Sequence, residues 1–230
     1  MVLPEHECAY LPERQTRLRA FMTHRMAPAV YDAFMDAGFR RSGKMVYQPI
    51  CRGCRACQPI RVLVDRFHPS KSQRRVVRRN LDLAVTIAEP EPTDEKLQLY
   101  RRYMRDWHGG DHLSRESFER FLYESPVATA ECCYRDAVGR LLAVGICDLS
   151  PRVLSSVYFY FDPAEANRGL GNFGALWELQ WAQRLGVRYY YLGYYVAGCT
   201  SMQYKSGFGP CEILCGDGQW REMDNGHRRD

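Results

Sequence analysis

Cys51-x-x-Cys54-x-x-Cys57 places three thiols two residues apart on one short stretch of chain, a spacing that lets three thiolates converge on a single ion or cluster. Gly53 gives that loop the backbone freedom to wrap. Tetrahedral zinc or an iron–sulfur cluster needs a fourth ligand, and Cys8 is the candidate. Arg52 and Arg55 lie between the thiols and favour their thiolate forms. A redox-active pair or incidental structural thiols are the competing readings of the same spacing.

The triplet is set in a strongly basic block. Residues 37–81 hold twelve Lys or Arg against one acid, Asp65, a net +11, while the remaining chain sums to −6. Such a concentration of positive charge favours a polyanionic partner, because neutralising phosphates releases condensed counterions. Within it, Ser70-Lys-Ser-Gln-Arg-Arg-Val-Val-Arg-Arg-Asn80 is the densest phosphate-binding candidate, with Lys71, Arg74, Arg75 and Arg78 expected on one helical face. An ordinary solvated basic face is the plain alternative.

Further along, Asn167-Arg-Gly-Leu-Gly-Asn-Phe-Gly174 follows a strand and opens a helix, so the backbone near Gly171 can present N–H groups to a phosphate. Tyr189-Tyr-Tyr-Leu-Gly-Tyr-Tyr195 is an aromatic strand; Tyr189 to Tyr191 are expected to pack, and Tyr194 and Tyr195 to face a cleft. His108 and His112 flank a Gly-Gly-Asp loop and are not taken as metal ligands. Cys132, Cys133 and Cys147 read as small apolar residues buried in strands.

The elements that must position these groups follow from periodicity and turn chemistry. Helices are expected over 29–37, 71–80, 93–106 and 114–123, with Thr93 and Ser114 as N-caps, and a later one over 173–185 stopped by Gly186. Strands are expected over 60–64, 83–87, 128–135, 141–149, 154–161 and 188–192, three of them spaced as an antiparallel meander. The order makes an α+β fold with a GNAT-like acyltransferase arrangement in residues 81–230 and a smaller, Cys-containing basic domain in residues 1–80.

No apolar run approaches the length of a membrane span, and the polar start of the chain, with Glu5 and Glu7, does not read as a secretory signal. A cytoplasmic protein with reduced thiols, and with no membrane partner, is the expectation.

Ordered along the chain, Cys8-x-Tyr-Leu11, Gly38-Phe-Arg-Arg-Ser42, Tyr47-x-Pro-x-Cys51-x-x-Cys54-x-x-Cys57 and Ser70-x-Ser-Gln-Arg-Arg75 resemble the N-terminal domain of the arginyl-tRNA–protein transferase family. Leu99-Tyr-x-x-Tyr103, Asp162-Pro163, Leu170-Gly171, Tyr191-Leu-Gly-Tyr194 and Met202-x-Tyr-Lys205-x-x-Phe208-x-Pro210 resemble its C-terminal domain. The compact length and the triplet's form are similar to the bacterial branch, the aspartate/glutamate leucyltransferases. Two positions depart from the pattern: Gly169 precedes Leu170 where a Ser is usual, and Ser201 precedes Met202 where a Lys is usual.

The resemblance implies transfer of Leu from Leu-tRNA to proteins with N-terminal Asp or Glu, in N-degron degradation, with an arginyl donor as the alternative. Such chemistry is aminolysis of an activated ester. It needs a neutral amine, donors for an oxyanion and a proton for the leaving ribose oxygen. Holding amine and ester together is worth up to ~7–11 kcal/mol. The expected catalytic set is Tyr194 and Lys205 nearest the reaction, with Asp148 or Glu178 as amine partner. Arg168 and Gly171 are expected at the tRNA terminus, and Lys205, Arg168 and Arg41 compete for the acceptor's acidic side chain. An acetyl-CoA-dependent N-acetyltransferase leaves the basic block unexplained, and a nucleic-acid-binding protein with a structural zinc leaves the C-terminal half idle.

Overall fold

The computed structural model describes residues 1–110 and 113–223, so His112 lies outside the described residues. A short ladder of β1 (His6–Glu7) and β2 (Gln15–Thr16) leads into β3 (Leu18–Met22), α1 (Pro28–Asp36), β4 (Arg40–Ser42) and β5 (Met45–Pro49). The last three strands make a small antiparallel sheet in the order β3-β5-β4, and α1 docks on it through Phe21 and Phe34, whose rings are 5.2 Å apart. There follow β6 (Gln58–Leu63), α2 (Lys71–Arg79), β7 (Ala84–Ala88), α3 (Asp94–His108) and α4 (Arg115–Phe118), the last continuing as a π turn over Glu119–Tyr123. The chain then runs through β8 (Thr129–Arg135), β9 (Leu141–Leu149), β10 (Val153–Phe161), α5 (Leu170–Leu185), β11 (Tyr189–Tyr195), α6 (Thr200–Gln203), β12 (Cys211–Leu214) and β13 (Trp220–Glu222).

Eight of these strands form one sheet in the order β13-β12-β6-β11-β10-β9-β8-β7. Strands β8 to β10 are the expected antiparallel meander, β7 adds to its edge by pairing antiparallel with β8, and β10 pairs parallel with β11. A parallel pair requires a crossover, and α5 supplies it. Helix α3 covers one face, with Tyr100 against Tyr158 and Tyr160; α5 covers the other, with Phe173 and Trp177 against Tyr134. Because both faces are covered, residues 141–148 of β9 are all buried, which is why that strand reads as a continuous apolar run.

Local sequence explains the helix starts. Ser70 and Gln73 close a capping box at α2, and the Thr93 hydroxyl accepts from the Lys96 N–H at α3, whose first turn carries Asp94 and Glu95. Gly109 and Gly186 take left-handed conformations that end α3 and α5. The helix expected over 114–123 keeps its Ser114 cap, but α-helical geometry stops at Phe118.

The expected boundary at residue 80 is not an edge in space. Strand β6, from the basic half, lies between β11 and β12 inside the large sheet, and α2 packs on α5. Ile60 and Val62 of β6 reach zero exposure, so the strand needs a sheet larger than the N-terminal segment provides. The strands β3, β4, β5, β12 and β13 lie outside the sequence expectation; they are three to five residues long, too short for a period-two signal to stand out.

Candidate active site

Pairing between β10 and β11 runs only from Val153–Tyr189 to Ser155–Tyr191, although both strands continue. Beyond that point they separate, and Ser156, Val157, Tyr158 and Phe159 in the middle of a central strand become partly exposed. Bulges on both strands mark the opening: β10 shifts register against β9 between Ser156 and Tyr158, and β11 shifts against β6 between Tyr191 and Tyr194. Gly193 lies in the second bulge at φ +80°, a conformation that L side chains rarely adopt. The result is a wedge-shaped cleft with its apex at Ser156.

Two cations border Gly193. The Lys205 ammonium donates to the Tyr194 carbonyl at 2.7 Å, and Arg40 donates through Nη2 to the Gly193 carbonyl at 3.1 Å. Arg40 also donates to the Phe39 carbonyl at 2.6 Å, and its guanidinium lies over the Tyr191 and Tyr194 rings at 5.0 and 5.4 Å. Its Nε is buried with no hydrogen-bond partner among the described residues. Both cations are nearly buried, at 7% exposure, and neither has a carboxylate partner among the described residues. Burial, then repulsion from Arg40, lowers the Lys205 ammonium to about 8. A pair of desolvated cations without a counter-ion is a ready anion site.

Tyr194 is less open than its position suggested. Its hydroxyl donates to the Gly38 carbonyl at 3.0 Å, and burial raises its pKa well above the ordinary phenol value. Tyr195 remains half-buried at the end of β11.

The two acids expected beside the amine are fully buried. Arg41 grips Asp148 with Nε and Nη2, each at 2.6 Å; Tyr31 and Thr129 donate to the same carboxylate at 2.9 and 2.8 Å. That pair is closed on itself, so Arg41 is not free for an acceptor's acidic side chain and Asp148 is not free for its amine. Glu178 is different. Its Oε2 accepts from the Tyr190 hydroxyl at 2.6 Å, while Oε1 has no hydrogen bond of good geometry. Burial raises it to about 7, with Tyr190, Ser156 and Cys147 pulling the other way.

Helix α2 flanks the cleft mouth. Gln73 donates to the Gly207 carbonyl at 3.0 Å, beside the Lys205 turn; Asn80 donates to the Arg168 carbonyl at 3.0 Å, and Arg79 to that of Asn167, where α5 begins. Lys71, Arg74, Arg75 and Arg78 are exposed on it and have no carboxylate partner among the described residues. Gly171, in the first turn of α5, has open space where a side chain would stand. Arg168 is held by Asp82 and Glu165, both at 2.9 Å, which takes up the guanidinium expected at the tRNA end.

Cys8, Cys51, Cys54 and Cys57 are neighbours and half-buried. Burial, then the negative potential of Cys51, Cys8, Cys54 and Cys199, pushes the Cys57 thiol up to about 12. At Cys8 burial raises the pKa, but N–H groups of Tyr10 and Leu11 with Thr16 and Arg14 lower it overall. Among the described residues, no three His, Cys, Asp or Glu side chains are arranged to hold a metal ion. Cys8, Cys51, Cys54 and Cys57 are the residues that would hold a metal ion or cluster, and the reaction is derived from protein side chains. Cys132, Cys133 and Cys147 are buried free thiols, as expected.

Arg40 and Ser156 are the site residues that sequence reasoning missed. The Arg40-Arg41 dipeptide was a visible signal, but only the partner of each side chain distinguishes them. Ser156 has no local motif at all.

This mixed sheet, with a helix bridging two diverging parallel strands, defines an acyltransferase-like fold. Two solved structures share it. One is the C-terminal DUF2156 domain of an Agrobacterium fabrum protein, with a TM-score of 0.50 and 15% identity over 82% of this chain and 57% of that chain. The other is a conserved protein of unknown function from Bacteroides thetaiotaomicron, with a TM-score of 0.50 and 11% identity over 87% of this chain and 60% of that one.

Sequence comparison is more specific. Residues 6–75 match the N-terminal model of arginine-tRNA-protein transferase and residues 95–215 its C-terminal model; the chain belongs to this family. It is 42% identical over 228 residues to an aspartate/glutamate leucyltransferase of Halorhodospira halophila, covering 95% of this chain and 94% of that one. A Pseudomonas putida protein of the same name is 40% identical over 215 residues, covering 91% and 90%. No helix among the described residues is long and apolar enough to cross a membrane.

Proposed function

We propose that this chain is an aminoacyltransferase that moves Leu from Leu-tRNA to the α-amine of proteins beginning with Asp or Glu, marking them for N-degron degradation. The observation that carries the reading is the pair of acid-free cations, Arg40 and Lys205, at the rim of an acyltransferase-type cleft. Two desolvated cations there suit the carboxylate of an N-terminal Asp or Glu and disfavour a neutral side chain. The names of relatives at 40–42% identity support the same substrates.

The donor would approach along α2, whose exposed Lys71, Arg74, Arg75 and Arg78 pair with phosphates, and place its aminoacylated 3′ end past the open turn at Gly171. The acceptor amine attacks the ester carbonyl, the amide bond forms, and the ester bond to the ribose oxygen breaks. One proton moves from the amine nitrogen to that oxygen, so no group is consumed. The acceptor carboxylate between Arg40 and Lys205 holds the amine against the ester, the effect from which most of the rate is derived.

Purified protein, charged Leu-tRNA or Arg-tRNA, and peptides beginning with Asp, Glu or Ala test this directly. Leucyl transfer to the acidic peptides alone is expected. Arginyl transfer would overturn the donor assignment, and absence of both would overturn the reading. Metal and sulfide content of protein purified without oxygen decides separately whether Cys8, Cys51, Cys54 and Cys57 carry zinc or an iron–sulfur cluster.

A further inference from the structure

Glu178 is the buried ionisable group that nothing else in the fold explains. It has zero exposure and no ion pair, and its Oε1 has no hydrogen bond of good geometry among the described residues. A carboxyl placed this way destabilises the fold unless another role retains it. The neighbouring strand makes room for it: a methyl added at Gly145 would lie 2.6 Å from Oε1.

Among the described residues around it, Ser156 offers a route to the cleft. Tyr190 of β11 holds Oε2. Cys147 of β9 and Tyr134 of β8 face it from within the sheet, Cys132 lies beside both, and the Tyr134 hydroxyl is buried with no partner among the described residues. Tyr204, after α6, faces it from the turn beside Lys205. Ser156 of β10 stands against both the carboxylate and the Tyr190 hydroxyl, and of the side chains that contact the carboxylate it is the one on the part of β10 that the cleft exposes. Glu178 does not touch a substrate; Ser156, at the apex where β10 and β11 separate, can.

We infer that Ser156 and Glu178 form a proton relay for the transfer reaction, Ser156 touching the reacting amine and Glu178 acting through it as a positioning and proton-storing group. The inference rests on the proposed aminoacyl transfer. As the amine attacks, its proton passes to Ser156 Oγ while the Ser156 proton passes to Glu178. On collapse of the tetrahedral intermediate the two transfers reverse, and the proton leaves on the ribose 3′ oxygen. Ser156 and Glu178 end in their starting forms. Tyr190 keeps the carboxylate oriented throughout.

A protonated Glu178 cannot accept, so turnover falls on the acid side of about pH 7. The test is kcat against pH at saturating Leu-tRNA and acidic peptide, for wild type, Ser156→Ala and Glu178→Gln. The acceptor amine's own titration near pH ~8 is common to all three. Loss of kcat by roughly 10²-fold is expected in both variants, with little change in either KM and with the inflection near pH 7 absent. The amide oxygen introduced by Glu178→Gln would still accept from Tyr190. Full kcat in Ser156→Ala, or a Glu178→Gln enzyme that retains the acid inflection, overturns the relay. Infrared difference spectra of unreacted wild-type protein give a check that needs no active variant. A carboxyl signal lost in Glu178→Gln and titrating near pH 7 supports the relay, and one titrating in the ordinary Glu range near ~4.3 overturns it. A wild-type protein that transfers no leucine overturns the proposed function and this inference together. Transfer by wild type with unaffected variants overturns this inference alone.

Discussion

Asp148 and Glu178 are both at zero exposure, and they meet β9 on opposite faces at adjacent positions, Asp148 on the strand itself and Glu178 against Cys147. The sheet treats them differently. On the α1 side, Asp148 receives Arg41, Tyr31 and Thr129, so every oxygen is engaged. On the α5 side, Glu178 receives one phenol and no cation. A saturated buried ion pair binds segments together: here it joins β4, α1, β8 and β9. An under-satisfied carboxyl beside an open strand gap is instead poised to exchange a proton. The contrast separates structure from chemistry where residue type alone cannot.

The largest effect tests the saturated side. Arg41→Ala leaves Asp148 charged and alone in the interior, and a loss of about 3–5 kcal/mol in urea unfolding is expected. A loss below about 1 kcal/mol would mean the pair is not the clasp between the two sheets. The next test reverses the sign. Glu178 has its folded pKa raised from 4.5 to about 7, so its stabilising proton is fully bound below pH 4.5 and is lost as pH rises through 7. Glu178→Gln should therefore match wild type at pH ~4.5 and exceed it by on the order of 3 kcal/mol above pH ~7. Parallel unfolding curves across this window would show that the carboxyl is not desolvated.

The cation pair at Gly193 gives a smaller change, read in substrate selection. Lys205→Met should raise KM for Asp- and Glu-initiated peptides about tenfold, near 1.4 kcal/mol, with KM for the aminoacyl-tRNA unchanged. A rise in KM for the tRNA instead would move Lys205 to the donor side of the cleft. The smallest effect per residue belongs to α2. Replacing Arg74, Arg75 and Arg78 by Ala should flatten the slope of log affinity for tRNA against log salt by about 0.7–0.9 per lost phosphate contact. An unchanged slope would place the tRNA elsewhere.

Much of this architecture was legible before any coordinates. The ends of β9 at Leu141 and Leu149, the Thr93 cap of α3 and the Gly186 stop of α5 each follow from a strong local signal: a continuous apolar run, a capping hydroxyl and a left-handed glycine. The family itself was legible from ordered motifs spread along the chain. The site was less so. Arg41, Asp148 and Arg168 have residue types that suit the reaction, yet each is held by partners 86 or more residues away, or by a nearby acid as well. No short window of sequence contains Arg41 together with Asp148, or Arg168 together with Asp82.

The sequence by itself determined which elements form and where charge is concentrated, because caps, periodicity and composition act within a few residues. Tertiary structure alone decided which side chain does what. Successive residues on a strand point to opposite faces, so Arg40 and Arg41 in β4 reach different places: Arg40 meets the carbonyl of Gly193 at the cleft, and Arg41 closes on Asp148 in the core. Their chemistry is identical. The distance to a counter-ion, set by strands that the chain brings together from far apart, makes one of them available and the other not.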